Sequence, residues 1–458
     1  GGGAWLPRRF VGGCRFCRRS RNVRPAACRR RLVNLRLYYL LKINGAAKRG
    51  FYLTCAALSG YNQQVNTAHR RVFFTRESAR MRAHSFSVTG ELFMIREGIF
   101  RNPSGCAVSG VIDRSGKRMS GECMIRSIAT MHDRSNGLGG GFAGYGIYPH
   151  YKDFYAFHLF FDSKTAKGAA EAFLGRHFEI AYSSEIQTHK LPSVTDEPMI
   201  WRYFCAPLPR KLADSHLDER EYVVRCVNRI NVQIDGAYVF SSGKNMGIFK
   251  GVGFPEDIGR FYGLDEYEGY AWTCHGRYPT NTPGWWGGAH PFGLLDFSVV
   301  HNGEISSYDA NRRYIEMFGY KCTLQTDTEV ITYIVDYLVR KCGLTLKEVS
   351  HVIAASFWST IADKPEEDRE QETLLRRMFP SLLVTGPFSI ILGYTGGLMA
   401  LNDRLKLRSM VCAEKGDLAF IASEECAIRA IEPSPDTVYA PAGGEAVIYE
   451  LYDRGGRA

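Results

Sequence analysis

Two strand-like segments near the middle of this 458-residue chain each run straight into a row of polar side chains. Residues 270–275 lead into Gly276-Arg277-Tyr278-Pro279-Thr280-Asn281, and residues 294–300 lead into His301-Asn302-Gly303-Glu304. A strand needs neighbours for its backbone N–H and C=O groups, so both segments belong to sheets whose ends carry the polar rows. Further strand patterns at 106–113, 154–161, 178–183, 199–206, 388–394, 398–401, 418–422 and 446–451 supply those neighbours. Helical spacing marks a stretch after Glu122, then 163–175 from a Ser163 cap, 219–234, a helix opening at 325–329, and two or three more through Phe379. Residues 237–240, a Gly243-Lys244-Asn245 turn and residues 246–249 read as a hairpin. The pattern is that of an insertion-rich α+β domain with no dividing linker.

The net charge of +11 suggests nucleic acid until its distribution is considered. Residues 1–93 hold 19 Lys and Arg against only Glu77 and Glu91, and the remaining residues hold 39 basic against 45 acidic groups. The basic character therefore describes the leader alone. That leader has no steady helical or strand period. It reads as upstream sequence translated in frame, with Met94 or Met81 as the start; an Arg-rich targeting peptide and a nucleic-acid-binding arm rank below that reading. Apolar stretches at 32–43 and 51–61 fall short of the roughly 18 residues a membrane span needs, so no transmembrane helix and no membrane partner are expected. Of the 13 cysteines, Cys14, Cys17, Cys28 and Cys55 lie in the leader, and the rest are scattered without paired short spacings. That usage suits a reducing cytoplasm and offers no metal or iron–sulfur motif.

Gly139-x-Gly141-x-x-Gly144 matches a dinucleotide-binding spacing, but a helix precedes it and an extended segment follows, the reverse of what that motif requires. The six glycines between 137 and 146 read instead as a tight loop where backbone approaches other backbone or a substrate.

The polar rows have the makings of an amide-cleaving site. Arg277 can grip a carboxylate through a bidentate fork. Asn302 and Gly303 can aim a side-chain amide and a closely approached backbone N–H at one developing oxyanion, although Asn-Gly is also the commonest hairpin pair. Asp327 falls in the first turn of its helix, where an anion is favoured, and on the residues alone a plain capping role is the preferred reading. Two cysteines compete as nucleophile. Cys274 neighbours His275 on a strand, so their side chains point to opposite faces and Cys274 reads as core. Cys106 opens a strand behind small residues. If the chain were cut before it, its own α-amine could act as general base.

At these residues the sequence resembles the class II (N-terminal-nucleophile) glutamine amidotransferases, in particular the stand-alone amidotransferase subunit of archaeal-type glutamate synthases. The resemblance runs over nearly all of 103–450. It implies a four-layer α/β/β/α sandwich of two antiparallel sheets, with 1–93 as leader, 94–105 as a short propeptide and 106–458 as the amidotransferase domain. It makes Cys106 the nucleophile, Asn302 and Gly303 the oxyanion hole, Arg277 the holder of the glutamine α-carboxylate, Thr280 a substrate contact and Asp327 the partner of the α-ammonium. His290, in Ala289-His290-Pro291, reads as structural. The sequence departs from the family in placing 94–105 before the cysteine and in carrying Asn281 where a histidine is common.

The function so implied is glutamine hydrolysis through a cysteine thioester, with ammonia passed to a separate glutamate synthase-type subunit that carries the flavin and iron–sulfur cluster; this chain itself is expected to need no cofactor. Another acceptor such as methylamine, or a non-catalytic glutamine sensor, are the alternatives.

Overall fold

The computed structural model describes residues 105–279, 284–324 and 326–452. The leader 1–93, residues 94–104 and Thr280 lie outside the described residues. Among those described, no helix is long and apolar enough to cross a membrane.

Two antiparallel sheets form the centre. The first has seven strands in the spatial order Thr437–Tyr439, Val411–Lys415, Leu418–Ala422, Ala107–Asp113, Ala271–Gly276, Gly140–Tyr145 and Met246–Gly251. The second has five: Phe292–Leu294, Phe297–Gly303, Phe388–Tyr394, Gly397–Asn402 and Ala446–Glu450. Strands Ala107–Asp113 and Ala271–Gly276 lie against Phe297–Gly303 and Phe388–Tyr394, so the sheets meet face to face. Helices Glu122–Ala129, Pro255–Phe261 and Glu425–Arg429 cover the outer face of the first sheet, and Asp327–Asp336 covers that of the second. This is the α/β/β/α sandwich the resemblance implies.

Burial on both faces explains why the central strands read as continuous apolar runs rather than alternating ones. Val299 and Val300 are both fully buried, the first in the core under Asp327–Asp336, the second in the layer between the sheets.

Strands Gly140–Tyr145 and Met246–Gly251 are neighbours although about a hundred residues separate them in sequence. The intervening chain builds a separate four-stranded sheet, ordered Phe178–Glu185, Met199–Pro207, Tyr155–Phe161 and Ala237–Ser241. Helix Lys164–His177 begins at Ser163, whose hydroxyl accepts the Ala166 N–H at 3.1 Å, and Glu219–Gln233 begins at Asp218, which caps the Glu221 N–H at 2.9 Å. Such caps satisfy donors that the first helical turn leaves unpaired.

Three expectations are corrected. Most of the glycine-rich segment, Gly140–Tyr145, is an interior strand of the seven-stranded sheet. What was read correctly is the close approach: a Cβ on Gly141 would lie 2.2 Å from the His290 carbonyl oxygen, and one on Gly144 2.7 Å from the Trp272 ring. Residues 237–240 and 246–249 are not a hairpin, because Ala237–Ser241 pairs with Tyr155–Phe161 while Met246–Gly251 pairs with Gly140–Tyr145. The turn between them, with Asn245 at φ +52°, carries the chain from one sheet to another. Residues 294–300 are two strands, broken where Leu295 takes φ +50° and Asp296 accepts the Lys244 N–H at 3.0 Å.

Gly141→Ala should therefore cost about 1–3 kcal/mol or more through overpacking. Gly168, inside helix Lys164–His177, has no atom within 4 Å of a built Cβ, and Gly168→Ala should add about 0.5–1 kcal/mol through helix propensity. Urea midpoints of the two variants should move in opposite directions.

Candidate active site

Antiparallel register brings the first two site residues together. Ala107 pairs with Gly276, so Cys106 and Arg277 both leave the seven-stranded sheet at the same end. The backbone N–H of Tyr278 donates to Cys106 Sγ at 3.3 Å. Arg134, just past helix Glu122–Ala129, donates to the Cys106 carbonyl oxygen from Nε at 3.3 Å and Nη2 at 3.1 Å, and pairs with Glu424 at 2.7 Å. Cys106 thus stands at a strand end fixed from two sides.

Face-to-face sheet packing supplies the next pair. Asn302 and Gly303 end strand Phe297–Gly303 of the second sheet. Asn302 is 1 % exposed, and neither its Nδ2 nor its Oδ1 has a hydrogen-bond partner among the described residues. A buried amide left unpaired on both atoms is costly, and such groups in native proteins call for a reason. A Cβ on Gly303 would lie 2.1 Å from the Pro387 carbonyl oxygen, so only glycine fits there. The residue preceding Cys106 lies beside Asn302. Gly105 has φ +134°, and a Cβ built on it would be 3.6 Å from both Asn302 Oδ1 and Arg134 Nη2.

Arg277, 5 % exposed, is seated by its N–H, which donates to the Gly139 carbonyl at 2.9 Å, and by its carbonyl, which accepts from Ser135 Oγ at 3.1 Å. The φ +153° of Gly139 and the 3.1 Å from its built Cβ to Arg277 Cδ show why that neighbour has no side chain. Burial lowers the Arg277 pKa, against the opposing pull of Cys106 and Asp327. Burial raises the Cys106 thiol; the Tyr278 N–H and the charges of Arg277 and Arg408 oppose that rise, and Asp327 adds to it.

Asp327 opens helix Asp327–Asp336, but the capping role belongs to its neighbour Thr326, whose hydroxyl accepts the Thr328 N–H. Asp327 is left for other work. One oxygen accepts the Ile305 N–H at 3.2 Å; the other accepts from Thr328 Oγ1 at 3.2 Å and lies 3.5 Å from His301 Nδ1. Burial would raise its pKa, but His301, the Ile305 N–H and the Thr328 hydroxyl together hold it below the usual aspartate value.

Behind Asp327 stands a histidine stack. His275 and His290 lie with ring centroids 4.1 Å apart, His275 Nε2 is 3.0 Å from the His301 carbonyl, and His290 Nε2 is 3.4 Å from Thr328 Oγ1. Burial pushes the His275 pKa down to about 3 and that of His290 well below its usual value, so both are neutral. His290 thus sits in a packing role, as read from the sequence. Cys274 is fully buried in the core of the first sheet, with its thiol pushed up by burial.

The fold therefore gathers Cys106, Arg277, Asn302, Gly303 and Asp327 at one end of the sandwich. Sequence reasoning missed Arg134, which lies 28 residues from Cys106 with no periodic link to it, and the pairing of His301 with Asp327. Only the alternation of strand Phe297–Gly303, which turns His301 and Asn302 to opposite faces, hinted that His301 serves the helix side.

Comparison with known proteins gives this geometry its setting. Residues 182–335 match the sequence profile of the class-II glutamine amidotransferases. An uncharacterized protein of Archaeoglobus fulgidus is 51 % identical over 357 residues, covering 77 % of this chain and 94 % of that one. Glutamine–fructose-6-phosphate aminotransferase of Vibrio vulnificus is 28 % identical over 42 % of this chain and 31 % of its own length. Amidophosphoribosyltransferase of Methanocaldococcus jannaschii is 23 % identical over 46 % of this chain and 41 % of its own length. This chain therefore spans less than half the length of the two named enzymes. Residues 182–335 of the chain thus fall in the class II glutamine amidotransferases, and glutamine is the substrate of that family.

A carboxylate whose pKa is lowered on folding stabilises the native state above its unfolded pKa and stops doing so as pH falls through the folded one. Asp327→Asn should be less stable than the parent at pH 7. That gap should narrow below about pH 4, as followed by urea denaturation from pH 7 to pH 3.

Proposed function

We propose that the chain is the glutaminase half of an ammonia-transferring complex. Cys106 Sγ attacks the side-chain carbonyl carbon of glutamine, the C–N bond breaks, ammonia leaves, and water releases glutamate from the thioester. Arg277 holds the α-carboxylate, Asp327 the α-ammonium, and Asn302 with Gly303 the oxyanion. Thr280 completes the substrate contacts. The observation that carries this reading is Asn302: a buried amide with both polar atoms unpaired among the described residues, at a strand end beside the residue that precedes Cys106. An oxyanion formed only during the reaction is a partner such a donor can wait for without reorganising.

Two finer points belong to the same proposal. Cleavage before Cys106 removes Gly105 from beside Asn302 and frees an α-amine that can take the thiol proton. The ammonia passes to a separate glutamate synthase-type subunit that performs the reductive step with its own flavin and iron–sulfur cluster; the resemblance of the whole domain to the stand-alone subunit supports this. The protein would then be cytoplasmic.

Cys106→Ala should abolish glutamine hydrolysis while leaving the unfolding free energy within about 0.5 kcal/mol of the parent. Asn302→Ala should lower kcat about 100- to 1000-fold with little change in KM, as expected for a contact made in the transition state. Arg277→Lys should chiefly raise the glutamine KM, because the bidentate fork is lost. These rates are measured on protein whose N-terminus has been defined by intact mass, with the synthase subunit present. Calorimetric glutamine binding without hydrolysis under those conditions would instead identify a sensor.

A further inference from the structure

Arg408 lies on the return from strand Gly397–Asn402, in a stretch where no sequence motif pointed to a site. Asp403, 3 % exposed, organises that return by accepting the N–H groups of Phe388 at 3.2 Å and of Leu405 and Leu407 at 2.9 Å each. Lys406 turns at φ +53°, and Asn402 Nδ2 donates to the Arg408 carbonyl at 2.8 Å. Residues 403–408 are thereby fixed as a tight turn whose last side chain faces the Cys106 end of the sandwich. A Cβ on Gly105 would lie 3.7 Å from Arg408 Nη1.

Two guanidinium groups thus flank the peptide that leads into Cys106, and they are not equivalent. Arg134 is neutralised by Glu424 at 2.7 Å and commits two donors to the Cys106 carbonyl. Arg408 makes no ion pair among the described residues, and its Nε is buried without a hydrogen-bond partner. Its charge is therefore uncompensated nearby. The other charged and polar groups facing Cys106 are Arg277, Asp327 and the Tyr278 N–H. Of these, Asp327 is already engaged with His301 and the Ile305 N–H.

We propose that Arg408 is a positioning residue for Cys106: the Asp403 turn holds its guanidinium against the backbone entering Cys106, where its charge favours the thiolate and keeps a freed α-amine unprotonated. This inference rests on the reading of Cys106 as the nucleophile. In the reaction the thiol proton passes to the α-amine as the S–C bond forms, and from there to the departing nitrogen as the C–N bond breaks, so that ammonia leaves neutral. A cation beside the amine makes it a weaker base and eases the second transfer. The uncut chain already offers the thiolate part of this effect for measurement.

The test is the alkylation rate of Cys106 by iodoacetamide between pH 6 and pH 10, followed by mass spectrometry of the Cys106 peptide in the full chain. Alkylation requires no turnover, so loss of the glutaminase reading and loss of this inference give different results. Arg408→Gln should slow Cys106 alkylation at pH 8 about three- to tenfold, the effect of removing one nearby positive charge that favours the thiolate. Arg408→Lys should restore the rate to within about twofold of the parent, since the charge and not the fork is what acts. Exposed Cys426 in the same sample should react at an unchanged rate and so report that the fold is intact. An Arg408→Gln rate equal to the parent, or an Arg408→Lys rate as slow as Arg408→Gln, would overturn the proposal. Where Arg408→Gln also slows at Cys426 or unfolds, Asp403→Asn, which loosens the turn and keeps the arginine, is measured instead; slowing at Cys106 alone supports the proposal and no slowing overturns it.

Discussion

The antiparallel pairing of Ala107–Asp113 with Ala271–Gly276 is the constraint on which the site depends. Its register sends Cys106 and Arg277 out of the sheet at the same edge, and a slip of one residue would turn every side chain on one strand to the opposite face. Register is strongly specified here because both faces are buried: Val108, Val111 and Ile112 are all fully enclosed. The stability of the core and the placement of Cys106 are one and the same choice of pairing.

The second sheet adds what the first cannot. Asn302 comes beside Gly105, the residue before Cys106, only because the two sheets pack face to face, and Asp327 reaches the site only because its helix packs on the far side of the second sheet. His301 connects these layers. Its carbonyl faces His275 of the first sheet, and its ring faces Asp327 of the helix. The stacked, neutral His275 and His290 behind it fill volume and offer hydrogen-bonding atoms without adding charge of their own near a buried carboxylate. Glu329, two residues along the same helix, accepts the N–H groups of Thr323 and Leu324 at 3.2 and 2.9 Å, tying down the segment that leads to Asp327, while burial pushes its own pKa up to about 7.

Glycine enters this design where backbones must touch. Gly141 passes under the His290 carbonyl, Gly139 leaves room for the Arg277 stem, and Gly303 abuts Pro387. A run dense in glycine therefore became a central strand and not a loop. Loops and close-packed strands both demand glycine, and spacing alone does not tell them apart.

Most elements were legible in the sequence, because their signals are local. Ser163 and Asp218 mark helix starts by capping, the apolar stripe from Val330 through Leu338 marks a buried helix, and the runs at 388–394 and 418–422 mark buried strands. The polar rows at Arg277 and at Asn302-Gly303 were legible for the same reason, as was the candidacy of Cys106 once those rows stood beside it. Which strand pairs with which was not legible. The supposed hairpin at 237–249 divides between two sheets because its two halves find better partners at Tyr155–Phe161 and Gly140–Tyr145, and partner choice is a comparison among distant segments. Arg134 and Arg408 were invisible for the same reason: one lies 28 residues from Cys106 and the other about three hundred, and only packing brings their charges to it. The sequence by itself determined the elements and the chemical types at their ends; the tertiary structure alone decided which ends meet, since that depends on burial shared by residues far apart in the chain.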